Sequence, residues 1–271
     1  MGIGHAIILG IVEGITEFLP VSSSGHLVVL HDILKMNLSS NLAFDVSLHF
    51  GTLLALLIYF RVEILKYLAA IIEIFIPKRV VNKADLSDIM LIVYASIPAA
   101  IVGAVFGEAI GNYFRRSLVV AVTLIIGAIL MFLAEKYCRS DHDFTGMGIL
   151  KAVYVGLAQV LALIPGVSRS GITIVAGMSV KLKRVEAAKF SFLLSMPVIF
   201  GAGIFNFFDI DWALLPPTEL VMFALGFISS FVVGFFVIKY FLKFLNNHSL
   251  NSFAWYRIGL AGLIIIWLLA K

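Results

Sequence analysis

Charge is scarce in this chain. Of its 271 residues, 13% are Asp, Glu, Lys or Arg, against roughly 25% in an ordinary soluble domain. Cysteine is nearly absent: Cys138 stands alone, which excludes an internal disulfide and any cysteine-based metal cluster. The N-terminus carries no basic n-region, because the first Lys or Arg is Lys35, and Glu13 and Glu17 sit inside the first apolar stretch. That makes a poor cleavable signal peptide. No basic face interleaved with exposed aromatics is present either. The net charge of +4 comes from Lys and Arg scattered among short segments, so nucleic acid is not an expected partner.

Apolar residues are what the chain has instead. They make up 61% of it, with a mean hydropathy of +1.07. Stretches 41–60, 89–107, 117–134, 187–208, 218–238 and 254–270 approach the length a helix needs to cross a bilayer core. The expected fold class is an all-α polytopic membrane protein surrounded by membrane lipids.

An internal repeat organises the rest. At a constant offset of 146, Gly10-Ile-Val-Glu13 pairs with Gly156-Leu-Ala-Gln159, Val21-Ser-Ser-Ser-Gly25 with Val167-Ser-Arg-Ser-Gly171, and Phe44 with Phe190. Each copy opens with an apolar segment broken by Pro20 or Pro165 and a hydroxyl-rich turn. The short runs after each turn, 26–34 and 172–180, would reach only about 14 Å as helix, half a bilayer core. Residues 3–35 and 152–180 therefore read as re-entrant helix–loop–helix elements in a single membrane domain. Repeat 1 covers about 1–135 and repeat 2 about 150–271, and six transmembrane helices remain.

Placing the loop 61–88 in the cytoplasm and alternating gives that side fifteen Lys and Arg: Arg61, Lys66, Lys78, Arg79, Lys83, Lys136, Arg139, Lys151, Lys181, Lys183, Arg184, Lys189, Lys239, Lys243 and Arg257. The outside receives four, Lys35, Arg115, Arg116 and Lys271, beside the acidic Asp209 and Asp211. The positive-inside rule is obeyed. Three spans per repeat turn the copies upside down relative to each other, so their tips would meet near the midplane, an arrangement that suits a polar site in a bilayer.

The first tip reads Glu13-Gly-Ile-Thr-Glu17-Phe-Leu-Pro20-Val-Ser22-Ser23-Ser24-Gly25-His26. Glu13 and Glu17 are four apart on one helix face. At membrane depth two such charges need a proton or a cation between them, and oxygen ligands point to Mg²⁺ or Ca²⁺. After Pro20, the serines and the start of a new half-helix form an anion site, and His26 adds a group that exchanges protons near neutral pH. The second tip reads Gln159-Val-Leu-Ala-Leu-Ile-Pro165-Gly-Val-Ser168-Arg169-Ser170-Gly171-Ile-Thr173. Arg169 is the one basic residue expected outside a loop. Its fork suits phosphate oxygens, and an ion pair with Glu13 or Glu17 is the structural alternative. Ser168, Ser170 and Thr173 could bond the same anion. Two acids for a metal, hydroxyls, a histidine and an arginine form a set for phosphoryl transfer from a lipid-borne phosphate.

At these residues the sequence resembles the undecaprenyl-diphosphate phosphatases, the bacitracin-resistance family. The motifs are E-G-x-T-E-F-L-P-V-S-S-x-G-H at Glu13–His26, P-G-x-S-R-S-x-x-T at Pro165–Thr173, and F-D-V-x-L-H-x-G-T-L-x-A at Phe44–Ala55. The resemblance implies hydrolysis of undecaprenyl diphosphate to undecaprenyl phosphate and inorganic phosphate, recycling a cell-wall lipid carrier. It implies a divalent cation, an interlocked inverted repeat, and a site toward the outer face of the bacterial plasma membrane. Its functional positions fall on Glu13, Glu17, Ser22, Ser23, His26, Ser168, Arg169, Ser170 and Thr173. Ser23 is the expected nucleophile, deprotonated by Glu17 or His26, with His26 itself or a metal-bound water as alternatives; Ser24 joins the phosphate-binding serines.

A polyprenyl-phosphate transporter or flippase is the rival function, since inverted repeats belong to alternating access. The type 2 phosphatidic-acid phosphatases are excluded because Val175 stands where their motif needs histidine after Ser168-Arg169. A homodimer stays open.

Overall fold

The computed structural model describes residues 2–34, 41–76, 82–138, 142–208 and 215–270. Lys35, Lys78, Arg79, Arg139, Asp209, Asp211 and Lys271, which enter the charge-orientation argument, lie outside the described residues. The described chain is helical nearly throughout. Its elements are α1 (Ile3–Thr16), α2 (Ser23–Leu34), α3 (Asn41–Tyr59), α4 (Arg61–Ile74), α5 (Lys83–Phe114), α6 (Ser117–Tyr137), α7 (Ile149–Val160), α8 (Arg169–Ser179), α9 (Arg184–Phe208), α10 (Pro217–Leu245) and α11 (Asn251–Ala270).

Five of these, α5, α6, α9, α10 and α11, are long and apolar enough to cross a membrane, and α3 carries a shorter apolar run, Ala43–Tyr59. The protein is an all-α, multi-pass membrane protein. α1 has 14 residues and α2 has 12, lengths of about 21 and 18 Å, so neither alone crosses a core of roughly 30 Å. The break between them falls in the first predicted hairpin. A second break, with a short 3₁₀ turn at Leu161–Leu163, separates α7 from α8 in the other.

Two expectations about the segment 61–88 are corrected. It is not simply a loop: α4 occupies Arg61–Ile74, and its Leu65, Ile72 and Phe75 side are exposed. Arg61, Glu63 and Lys66 hide this helix from a reading by charge, while Ile64, Leu65 and Leu68 supply its apolar spacing. α5 also starts at Lys83, earlier than 89.

The helices exchange partners across the chain's two halves. α1 packs along α10, and α7 along α5; α3 also lies on α10, α9 on α5, and α6 pairs with α11. Close approach is possible because Gly10 and Gly156, equivalent positions at the 146 offset, face the backbones of Gly226 and Ala95. A Cβ at either would collide with a carbonyl oxygen, which is the small-residue route to tight packing where no hydrophobic effect draws helices together. The largest buried cluster brings together Phe18, Phe60, Phe190, Phe192 and Phe241.

Candidate active site

Both breaks are built the same way. Ser22 has φ of 75° and Ser168 has φ of 72°, the left-handed region that non-glycine residues rarely visit. Each serine then caps the half-helix it precedes: Gly25 N–H donates to Ser22 Oγ at 3.2 Å, and Gly171 N–H to Ser168 Oγ at 3.1 Å. The capping hydroxyl lies 3.4 Å from Ser24 Oγ in the first break and 3.2 Å from Ser170 Oγ in the second. Strained backbone of this kind persists only where its surroundings hold it, and it clusters at functional sites.

The turn brings Ser23 back over the end of α1, where Glu17 is the C-cap. Ser23 Oγ donates to Glu17 Oε2 at 2.5 Å. The other Glu17 oxygen is ion-paired with the Arg169 guanidinium, whose Nη1 also donates to Ser195 O at 3.3 Å. The structural alternative for Arg169 is thus realised, and it joins the two tips. Glu13, fully buried, has His49 Nδ1 at 2.7 Å from its Oε1, while its Oε2 takes no hydrogen bond from the described residues. His49 lies on α3 and stands 3.9 Å from Glu17. Sequence reasoning gives it no role, although it is the histidine of the F-D-V-x-L-H-x-G-T-L-x-A motif. One ligand atom from each of Glu13, Glu17 and His49 can be chosen so that all lie within 4.8 Å of one another.

Glu17, Ser23, His49 and Arg169 border a cavity of about 220 Å³ that Ser24, Gln159 and Ser168 also line, with apolar walls from Leu163, Val198 and Ile199. Five expected site residues, Glu13, Ser22, His26, Ser170 and Thr173, are not in its lining. His26 turns away: its Nδ1 meets Ser22 O at 2.7 Å and its Nε2 meets Tyr256 Oη at 2.8 Å, with the two rings stacked. Ser22 serves as the cap. Ser170 Oγ donates to Leu19 O at 3.0 Å, tying the second tip to the first. Thr173 bonds Arg169 O at 2.7 Å and Ser191 Oγ at 2.6 Å, fixing the start of α8 against α9.

Arg257 needs a correction. It is not in a cytoplasmic loop but inside α11, with no exposed surface, so Arg169 is not alone in the bundle. All its donors are directed at backbone carbonyls: Nε to Leu124 O, Nη1 to Pro20 O and Val167 O, and Nη2 to Thr123 O and Gly166 O, at 3.0–3.2 Å. Pro20 and Gly166 are equivalent at the 146 offset, so one guanidinium holds matching points of both tips. Gly127 leaves room for it, because a Cβ there would strike the guanidinium. Arg257→Met strands the three carbonyls that lie outside helices, those of Pro20, Gly166 and Val167, each costing about 1–3 kcal/mol if left buried and unpaired. The midpoint of thermal unfolding in detergent should fall by more than about 5 °C, while Arg257→Lys, keeping the charge and some of the bonds, falls less.

A bundle that crosses the bilayer and gathers acids, hydroxyls and a guanidinium around one inner cavity is a polytopic membrane enzyme. The chain belongs to the bacitracin resistance protein BacA family, which it matches over residues 6–263. It is similar to the undecaprenyl-diphosphatase of Rubrobacter xylanophilus, 40% identical with 98% of each chain covered. It is also similar to those of Trichlorobacter lovleyi, 40% identical over 99% of this chain and 98% of the relative, and Alteromonas mediterranea, 41% identical over 98% of each.

Proposed function

We propose that the chain hydrolyses undecaprenyl diphosphate to undecaprenyl phosphate and inorganic phosphate, returning a lipid carrier to cell-wall synthesis. The relatives named above carry that activity in their names over nearly identical lengths, and the family is the bacitracin resistance family. Consuming the diphosphate that bacitracin sequesters accounts for resistance. The observation that carries the reading is the Ser23–Glu17–Arg169 chain of contacts at a cavity inside the bundle.

In the reaction this arrangement supports, Ser23 Oγ attacks the terminal phosphorus and its proton passes to Glu17. The bond from that phosphorus to the bridging oxygen breaks, and undecaprenyl phosphate leaves with the oxygen. Water then cleaves the phosphoserine and releases inorganic phosphate. A phosphoryl group competes with Glu17 for the Arg169 fork. Taking it neutralises equatorial charge and leaves Glu17 free to accept the seryl proton. His26, with both ring nitrogens engaged, supports the first tip through Ser22 rather than the attack.

Glu13, Glu17 and His49 fit a divalent cation, because they offer ligand atoms within 4.8 Å of one another and Glu13, though fully buried, keeps one carboxylate oxygen free of hydrogen bonds from the described residues. Mg²⁺ or Ca²⁺ suits the carboxylates, and His49 adds a nitrogen that an all-oxygen reading leaves out. Such an ion supplies charge neutralisation at the phosphates.

We place the protein in the bacterial plasma membrane with the two broken helices dipping in from opposite faces and the site opening outward. The matched serine caps and the exchanged helix partners support an inverted repeat.

The test is phosphate release from a short-chain prenyl diphosphate by purified protein in detergent. Steady release, stopped by EDTA and restored by Mg²⁺ or Ca²⁺, is the expected result. A polyprenyl-phosphate transporter without hydrolase activity releases no phosphate. Release that persists unchanged in EDTA removes the cation from the account.

A further inference from the structure

Gln159 is a buried polar residue of the cavity that the reaction above does not use. It occupies the place in α7 that Glu13 occupies in α1, at the same offset of 146. It is 2% exposed and lines the cavity beside Ser168 and Arg169. Neither its amide nitrogen nor its amide oxygen has a hydrogen-bond partner among the described residues.

That combination is costly to maintain. A buried polar group with no partner destabilises the folded state, and an apolar side chain of similar volume avoids the penalty. Natural proteins keep such groups where a ligand completes them. The cavity itself indicates which ligand. Its acidic side comes from the first tip, with Glu17. At the equivalent position of the second tip stands Leu163, and Arg169 stands where the first tip has Ser23. The second-tip wall is therefore neutral and basic, suited to an anion. A carboxamide adds two N–H donors to that wall without a charge. A carboxylate there would repel phosphate and offer a second place for a cation.

We propose that Gln159 is a substrate-binding residue whose amide N–H₂ donates to a non-bridging phosphoryl oxygen of the diphosphate, alongside Arg169. This rests on the phosphatase reading and deepens it, by assigning the phosphates a second, uncharged contact on α7.

The experiment compares wild type, Gln159→Leu and Gln159→Glu, purified in detergent, for the Tm of the protein and for kcat and KM on a short-chain prenyl diphosphate. Gln159→Leu should hold its Tm at or above the wild-type value while kcat/KM falls about 10- to 100-fold, mostly through KM. Gln159→Glu should raise KM further, since its charge opposes the substrate's. A structural amide gives the opposite pattern, a lowered Tm with kinetics of the folded fraction unchanged, and that result overturns the proposal. So does Gln159→Leu with a wild-type Tm and kcat/KM within about twofold of wild type. If wild type turns over normally in that experiment, only Gln159's role is lost. If wild type itself releases no phosphate, the phosphatase reading falls and takes this inference with it.

Discussion

Ser23→Ala leaves the protein folded and inserted but drops phosphate release by on the order of 10³-fold or more, as removal of an attacking hydroxyl does when no other group can replace it. Ser23 Oγ is bonded within the structure to Glu17 Oε2, so its loss frees one carboxylate oxygen without stranding a charge: Arg169 still holds the other. Stability should change little. Trapping the intermediate with labelled prenyl diphosphate and mapping it by mass spectrometry gives the direct reading. Label on Ser23 in wild type and none in Ser23→Ala is expected. Label on His26, or turnover that survives the alanine, would show that another nucleophile attacks.

Arg169→Ala should cost at least tenfold in turnover, and on the order of 10²–10³-fold if the guanidinium meets charge that develops in the transition state. Stability also suffers, because the substitution leaves Glu17 buried without its cationic partner, which costs roughly 3–5 kcal/mol when a buried pair loses one member. The two effects separate in a double variant. Arg169→Ala with Glu17→Gln recovers much of the Tm, since no unpaired charge remains, and recovers none of the activity. Near wild-type release by Arg169→Ala alone would refute the phosphate-clamp role.

Much of the site could be read from the order of residues. The acids, the serines and Arg169 sit inside apolar runs, where every polar group must find a partner, and prolines mark where the helices stop. What could not be read depends on the direction a side chain takes after the turn. The left-handed backbone at Ser22 and Ser168 makes those hydroxyls caps and leaves Ser23 and Arg169 facing the cavity. Nothing in a string of three serines says which one is strained. His26 adjoins the reactive groups in sequence, yet α2 turns it toward Tyr256, a residue of α11. His49 reaches the first tip from α3 and Arg257 reaches both tips from α11, neither of them part of a tip. Arg257 was placed by charge alone, which assigns a basic residue near a helix end to the membrane surface and cannot detect five carbonyls waiting inside.

α11 follows both breaks in the order of synthesis. Until it is threaded into the bilayer, Pro20, Gly166 and Val167 have no guanidinium to hold them. The nascent chain therefore carries every reacting group before the guanidinium that joins the two tips has been made.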